Sequence, residues 1–482
     1  MTGSKQVPEI LDLPIGISVT GKRRETDSMG GIDVPADRYW GAQTERSLIH
    51  FSIGNDRMPN AVYHAYGQVK KAAAVVNGRS GLLDAWQAEL IGRVADEVIA
   101  GGLDDSFPLY VWQTGSGTQS NMNVNEVISN RAIQFVGGQL GSKSPIHPND
   151  HVNLGQSSND TFPTAMHIAT VAEFVTHLIP AVQALHSSID AKAREWKDIV
   201  KIGRTHLQDA VPLTVGQEWS GYAAQIAAAL SRLEATMPAL HELAVGGTAV
   251  GTGLNAPEGF GVDVAEEIAK QTGQPFVTAP NKFAAQGGLD GMVAASAGLR
   301  GLAVPLMKIA NDIRWLASGP RAGISELVLP ANEPGSSIMP GKVNPTQCEA
   351  MVMVCIQILG DDAGVAIAGS QGNFELNAMR PVIINSVLHS STILADACTK
   401  LREFCIEGVE LHRQQISDYV GRSLMLVTAL SPVIGYDKAS AIAHKADNDD
   451  STLREAALAT GYIGAADFDR IVDPAAMIPL SA

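Results

Sequence analysis

Apolar residues from Met292 onward fall at Met292, Ala295, Leu299, Leu302, Leu306, Ile309, Ile313 and Leu316, alternating steps of three and four. Such steps draw one stripe along a helix, and this stripe runs for more than six turns. Residues 168–189 repeat the pattern, as do Trp219, Tyr222, Ile226, Leu230, Leu233, Met237 and Leu240. A further long helix is predicted from 381 to about 409. Pro180 and Pro305 lie inside these patterns, where a missing N–H and a ring clash kink a helix without ending it. Helices of thirty or more residues are therefore expected, far above the usual eleven or twelve. Each offers more apolar edge than one small bundle covers, so the predicted fold is all-α in the main, a long-helix bundle extended by self-association. Before about residue 155 the pattern is more broken, with shorter helices near 61–77 and 86–99. The chain divides into 1–26, a loose N-terminal extension; 27–154, a mixed, mostly helical domain; 155–414, the bundle; and 415–482, a small helical domain.

Composition narrows this picture. With 482 residues, 45% apolar and 18% charged, the chain can bury a large core, which excludes wholesale disorder. Aromatics at only 5% favour closely packed helices over an aromatic-rich sandwich. The net charge of −15 argues against a nucleic-acid partner but not against a small anion held in a locally positive site. Cys348, Cys355, Cys398 and Cys405 are spaced by seven within each pair, which sets both thiols on one helix face and not in a zinc-binding turn. Buried reduced thiols and a reducing compartment follow. No apolar run reaches the roughly 18–20 residues of a membrane span. The first twenty-five residues mix Lys5, Glu9, Asp12, Lys22, Arg23, Arg24 and Glu25, unlike a secretory signal. A soluble, cytoplasmic protein with no membrane partner is expected.

Four polar segments interrupt the apolar background. Gly335-Ser336-Ser337-Ile338-Met339-Pro340-Gly341-Lys342-Val343-Asn344-Pro345 joins hydroxyls, an ammonium and an Asn-Pro pair that reads as a helix start, with Asn344 as cap. The helix from Pro345 would turn its unpaired N–H groups and positive dipole end toward the loop, making a cradle for a small anion. Gly115-Ser116-Gly117-Thr118-Gln119-Ser120-Asn121-Met122-Asn123 is dense in hydroxyls and amides; Ser120 occupies the third glycine position of a dinucleotide fingerprint, so that reading is excluded. Gly155-Gln156-Ser157-Ser158-Asn159-Asp160 and Gly203-Arg204-Thr205-His206-Leu207-Gln208-Asp209 each read as a loop entering a long helix. Any one of these could be an ordinary helix cap. Together they set neutral donors around one His and one Lys, as carboxylate recognition requires. No Asp, His and Cys grouping has metal-ligand spacing, and no Gly-x-Ser-x-Gly elbow occurs, so neither a metal nor a cofactor is expected.

The 335–345 segment resembles the signature of the fumarase/aspartase superfamily, which also holds argininosuccinate and adenylosuccinate lyases. The likeness runs from about Asp27 to the C-terminus and includes Ile32-Asp33-Val34-Pro35-Ala36-Asp37 and Gly435-Tyr436-Asp437-Lys438. His206, where aspartases carry Gln, and Thr346-Gln347-Cys348-Glu349, where they typically read Val-Ile-Pro-Glu, resemble class II fumarase within it. The resemblance implies a three-domain fold, a homotetramer whose sites each draw on three subunits, and reversible anti addition of water to fumarate. The product would be (S)-malate, reached through an aci-carboxylate carbanion. It implies Ser336 as carbon-acid base, His206 with partner Glu349 acting through a water, and Lys342 with Asn344 stabilising the carbanion. Ser116, Thr118, Ser157, Ser158, Asn159 and Thr205 resemble the carboxylate-binding donors. His147, Asn149 and Asp150 resemble a second, non-catalytic dicarboxylate site of the family, although Ser144 stands where one family member has a basic residue. Ala284 likewise replaces a usual Glu. The rival readings are an aspartate ammonia-lyase on the same fold and a catalytically silent structural bundle.

Overall fold

The computed structural model describes residues 7–479. They form two compact units: Met1–Leu178, Arg232–Gly301 and Gln357–Ile393 make the first, and Ile179–Ser231, Leu302–Ile356 and Leu394–Ala482 the second. Every junction between them falls inside a long helix. The fold is mostly helical, with only short two-stranded sheets among the described residues. All eight residues of the stripe from Met292 to Leu316 are buried, none more than 6% exposed. Most long helices fall short of the thirty residues expected: Asp290–Leu316 has 27, Thr346–Gly369 has 24, and Arg380–Leu401 has 22 before a π turn carries it to Ile406. Among the described residues only the continuous stretch Ser158–Glu195, with 38 residues, exceeds thirty. It widens into a π turn at Phe174–Leu178, because Pro180 has no N–H to offer the preceding turn. The stripe ending at Leu240 breaks early: the helix is Val215–Glu234, and Met237–Leu240 is a separate turn started by Pro238.

Three expectations are corrected. Residues 7–26 are tied down where a loose extension was expected. Lys22–Asp27 pairs antiparallel with Gly30–Pro35, and the Leu11 N–H donates to the Phe135 carbonyl at 2.7 Å. The cause is Arg131, whose buried guanidinium needs acceptors and takes the carbonyls of Leu13 and Pro14 besides Glu97. Residues 1–6 lie outside the described residues. Second, four helical stretches are long and apolar enough to cross a bilayer by length and composition: Ser158–Glu195, Asp290–Leu316, Thr346–Gly369 and Arg380–Ile406. They escape a search for unbroken apolar runs because polar residues punctuate them. Third, the segment around His206 does not run from loop to helix; it is a β-hairpin, Val200–Thr205 with Gln208–Thr214.

In the first unit, Asn60–Arg79 packs along Ala85–Ile99, and Gly67 allows the approach, since a Cβ there would stand 2.7 Å from Ile99 Cγ1. Thr118–Phe135 is buried along most of its length despite its polar sequence, Asn121, Asn123, Asn125 and Asn130 included. In the second unit, Leu426, Leu430, Ile442, Leu453, Ala457 and Phe468 form a hydrophobic cluster that closes on Ile202 of the hairpin. The four cysteines are free and buried, with Cys348 and Cys405 sulfurs 3.9 Å apart.

Candidate active site

The first unit gathers hydroxyls at the starts of two helices. Gly117, at a left-handed φ of 75°, begins Thr118–Phe135, and a side chain there would strike the Phe162 ring at 2.1 Å. A Cβ on Gly115 would meet the Ala378 carbonyl at 1.4 Å. Both glycines are thus demanded by close approach, and the turn between them presents Ser116 and Thr118. Ser157 begins Ser158–Glu173 with a capping box closed by Asp160. The two starts meet: Ser116 Oγ lies 2.8 Å from Thr118 Oγ1, which lies 2.7 Å from Ser158 Oγ. Asn159 donates to the Ala249 carbonyl, and buried Asp160 accepts the N–H groups of Gly246 and Thr248, so the glycine-rich 246–253 connection wraps this corner. Partly exposed hydroxyls at two helix N-termini suit a carboxylate.

The second unit holds the loop with Ser336, Lys342 and Asn344. Its limbs touch: a Cβ on Gly335 would stand 1.9 Å from the Lys342 carbonyl. Asn344 was expected to cap the following helix. Instead its amide donates to the Gly335 carbonyl at 2.5 Å, while the Pro345 carbonyl accepts the Glu349 N–H and Thr346–Gly369 begins there. The backbone N–H groups of Ile338 and Met339 both donate to Ser336 Oγ, at 3.2 and 3.1 Å. Lys342 and Asn344 line a cavity of about 580 Å³ shared with Arg314, Trp315 and Ser318. A neighbouring cavity shares Trp315 and Ser318 with it and reaches Arg204 and Leu207 of the hairpin.

Thr205 and His206 stand at the hairpin tip, exposed. His206 and Leu207 both adopt left-handed backbone, φ 58° and 62°, in a two-residue turn that glycine and asparagine normally fill. The strand leading there is anchored beneath: buried Lys201 bonds Glu218 and Glu326, and Arg204 bonds Glu326, each within 2.8 Å. Among the described residues no hydrogen bond joins His206 to Glu349. Sequence reading missed this anchor and also buried Lys70, whose only sequence sign is a lysine on the apolar face of Asn60–Arg79.

His147, Asn149 and Asp150 come together in one turn. His147 Nδ1 accepts from the Asn149 and Asp150 N–H groups, capping the turn Pro148–Val152. The cavity beside it, about 100 Å³, is walled by Glu25, Asp27 and Glu126 with one ammonium, Lys143. Arg23 pairs with Glu25 and Arg46 with Asp27, and burial raises Glu126 to about 7.

The description of the matching family model over residues 30–360 is a lyase, and a fumarase C C-terminal model matches 426–479. A class II fumarate hydratase from Methanosarcina acetivorans is 71% identical, covering 98% of each chain. One from Thermosynechococcus vestitus is 62% identical over 94% of this chain and 97% of its own. The crystal structure of class II fumarase from Schistosoma mansoni superposes with a TM-score of 0.93 at 43% identity, covering 95% of this chain and 99% of that one. The chain therefore belongs to the class II fumarate hydratases, hydro-lyases of the fumarase/aspartase superfamily.

Proposed function

We propose that the chain interconverts fumarate and (S)-malate by anti addition of water through an aci-carboxylate carbanion, in a homotetramer whose sites combine residues of separate subunits. One observation carries the chemical assignment: Ser336 Oγ rests under two backbone N–H groups, on the loop whose other limb bears Lys342. A serine is a weak base unless its oxyanion is stabilised, and two preorganised donors beside an ammonium supply that. Ser336 then takes the proton from carbon 3 of malate. Lys342 and the second amide hydrogen of Asn344 meet the two negative charges that collect on the neighbouring carboxylate. Ser116, Thr118, Ser157, Ser158, Asn159 and Thr205 hold the substrate carboxylates, and His206, paired with Glu349 of another subunit, moves the proton of the departing water. Self-association is favoured by Thr346–Gly369, where Met353, Ile356 and Ile367 are 64%, 58% and 66% exposed. The free buried thiols fit a cytoplasmic setting, and the three domains 27–154, 155–414 and 415–482 remain our division of the chain.

Ultraviolet absorbance at the fumarate band tests the activity. Malate added to the pure protein should raise it. A rise with aspartate alone would make the chain an ammonia-lyase, and silence with both would leave a structural bundle. Ser336→Ala should abolish turnover while light scattering still finds the parent's oligomer; loss of assembly in that variant would make Ser336 architectural.

A further inference from the structure

We propose that Lys70 is a positioning residue for dicarboxylate binding: its ammonium, sealed inside the first unit, locks the Ser116–Thr118 turn to the Ser157–Asn159 turn and supplies positive charge beneath their hydroxyls. The inference rests on the function proposed above and deepens it. Lys70 is 0% exposed. Its Nζ donates to Asn121 Oδ1 at 2.7 Å, Asn153 Oδ1 at 3.1 Å and Gln156 Oε1 at 2.9 Å. Each of these oxygens is fixed in place by what its own amide nitrogen does. Asn121 Nδ2 donates to Asn153 Oδ1, Asn153 Nδ2 to the Gln156 carbonyl, and Gln156 Nε2 to the carbonyls of Val152 and Leu154. Three fixed acceptors around one nitrogen require three N–H groups, which an ammonium has and a neutral amine lacks.

The partners explain what the ammonium positions. Asn121 lies one helical turn past Thr118, and Gln156 immediately precedes Ser157. One cation therefore ties both donor turns to the Asn60–Arg79 helix. All three hydrogen-bond partners are neutral, so its charge is not cancelled on contact. Buried Asp160 acts electrostatically on Lys70 and likewise on buried Arg380 and on Lys282, and the Tyr66 ring centroid is 5.7 Å from Lys70 Nζ. Arg380 donates to the Gln286 carbonyl, and its Nε and Nη1 meet no protein acceptor. Two cations against one carboxylate leave the interior beneath the hydroxyls net positive, where low dielectric lets that charge act on a bound dianion. A strut alone would need no charge, and apolar side chains would serve it at less cost.

Calorimetry at pH 6, where Lys70 holds its proton, with succinate, a saturated dicarboxylate that cannot be hydrated, reads binding apart from turnover. Lys70→Met, with circular dichroism and oligomer unchanged, should bind succinate at least about tenfold more weakly, and KM for fumarate and malate should rise by the same factor. Asn121→Asp neutralises the ammonium and keeps its bond to Lys70, giving up only the Nδ2 bond to Asn153 Oδ1. It should also weaken succinate by about tenfold, although its new ion pair makes the fold more heat-resistant. If Lys70→Met does not fold, Asn121→Asp decides alone. Succinate affinity within about twofold of the parent in either folded variant overturns the proposal and leaves Lys70 a strut. A parent that takes no succinate overturns it too. Succinate binding by a parent that turns over neither fumarate nor malate would instead sink the proposed reaction while the Lys70 comparison still stands.

Discussion

Lys70 shows how a buried ion trades stability for binding. Burial pulls it down from the ordinary lysine range to about 7, and Asp160 draws it partly back. Between about pH 7 and 10.5 the unfolded chain carries this proton and the folded chain does not, so stability attributable to Lys70 rises with pH across that window. Below it the full cost of enclosing the charge is present. Chemical denaturation from pH 6 to 10 should therefore show the parent gaining on Lys70→Met as pH rises, by at most about 5 kcal/mol. Parallel curves would mean the proton is not lost in the fold. Lys342 makes the opposite case, a cation whose work is on the substrate. Its replacement by Ala should lower kcat by at least about a hundredfold, the cost of one preorganised donor, with the melting temperature unchanged. Ala284 has a structural reading as well: Asn281 Oδ1 accepts the Ala284 N–H at 3.0 Å, placing it third after a cap, where a glutamate reaches back to the cap N–H. Ala284→Glu should stabilise by about 0.5 kcal/mol, measured by thermal melts. The hydroxyl and amide segments were legible as sequence because each is contiguous. Lys70 was not, since the acceptors that define it stand some fifty to ninety positions away.

Among the elements, those with a long uniform period read most clearly. The Met292–Leu316 stripe is buried at every position because eight residues on one face outvote any local irregularity. Prolines changed outcomes in proportion to their surroundings: Pro305 stays inside its helix, Pro180 follows a widened turn, and Pro238 starts a separate one. The His206 hairpin escaped because its tip lacks the Asn-Gly or Asp-Gly pair by which such turns are recognised. Its left-handed His206 and Leu207 are instead held by the Lys201, Arg204, Glu218 and Glu326 network in the strand below. Leu207 is 65% exposed and owes its conformation to that anchoring. Leu207→Gly should therefore raise stability by about 1 kcal/mol in denaturant titrations and leave turnover within about twofold. A large loss of activity at unchanged stability would show that the leucine side chain, and not only the turn it occupies, serves the site.

At the scale of the whole molecule, most donors and the base lie on different compact units: Ser116, Thr118, Ser157, Ser158 and Asn159 on the first, and Ser336, Lys342, Thr205 and His206 on the second. Sequence alone could say that long apolar helices want partners, because length and stripe are local properties. It could not say which chain supplies which side chain, because that depends on symmetry. If each site takes its donors from one subunit and its base from another, two dead variants can rescue each other. Asn159→Ala removes a donor and Ser336→Ala the base, and each homotetramer should be inactive. Unfolding an equal mixture and refolding it together builds hybrids in which a site can draw intact donors from one chain and an intact base from its neighbour. Random assembly makes roughly a quarter of the sites complete, so about that share of the parent activity should return. Mixing without unfolding should restore nothing, which controls for leakage. Should the refolded mixture stay inactive while co-purification of differently tagged chains confirms hybrid tetramers, donors and base belong to the same chain and the shared-site proposal is wrong.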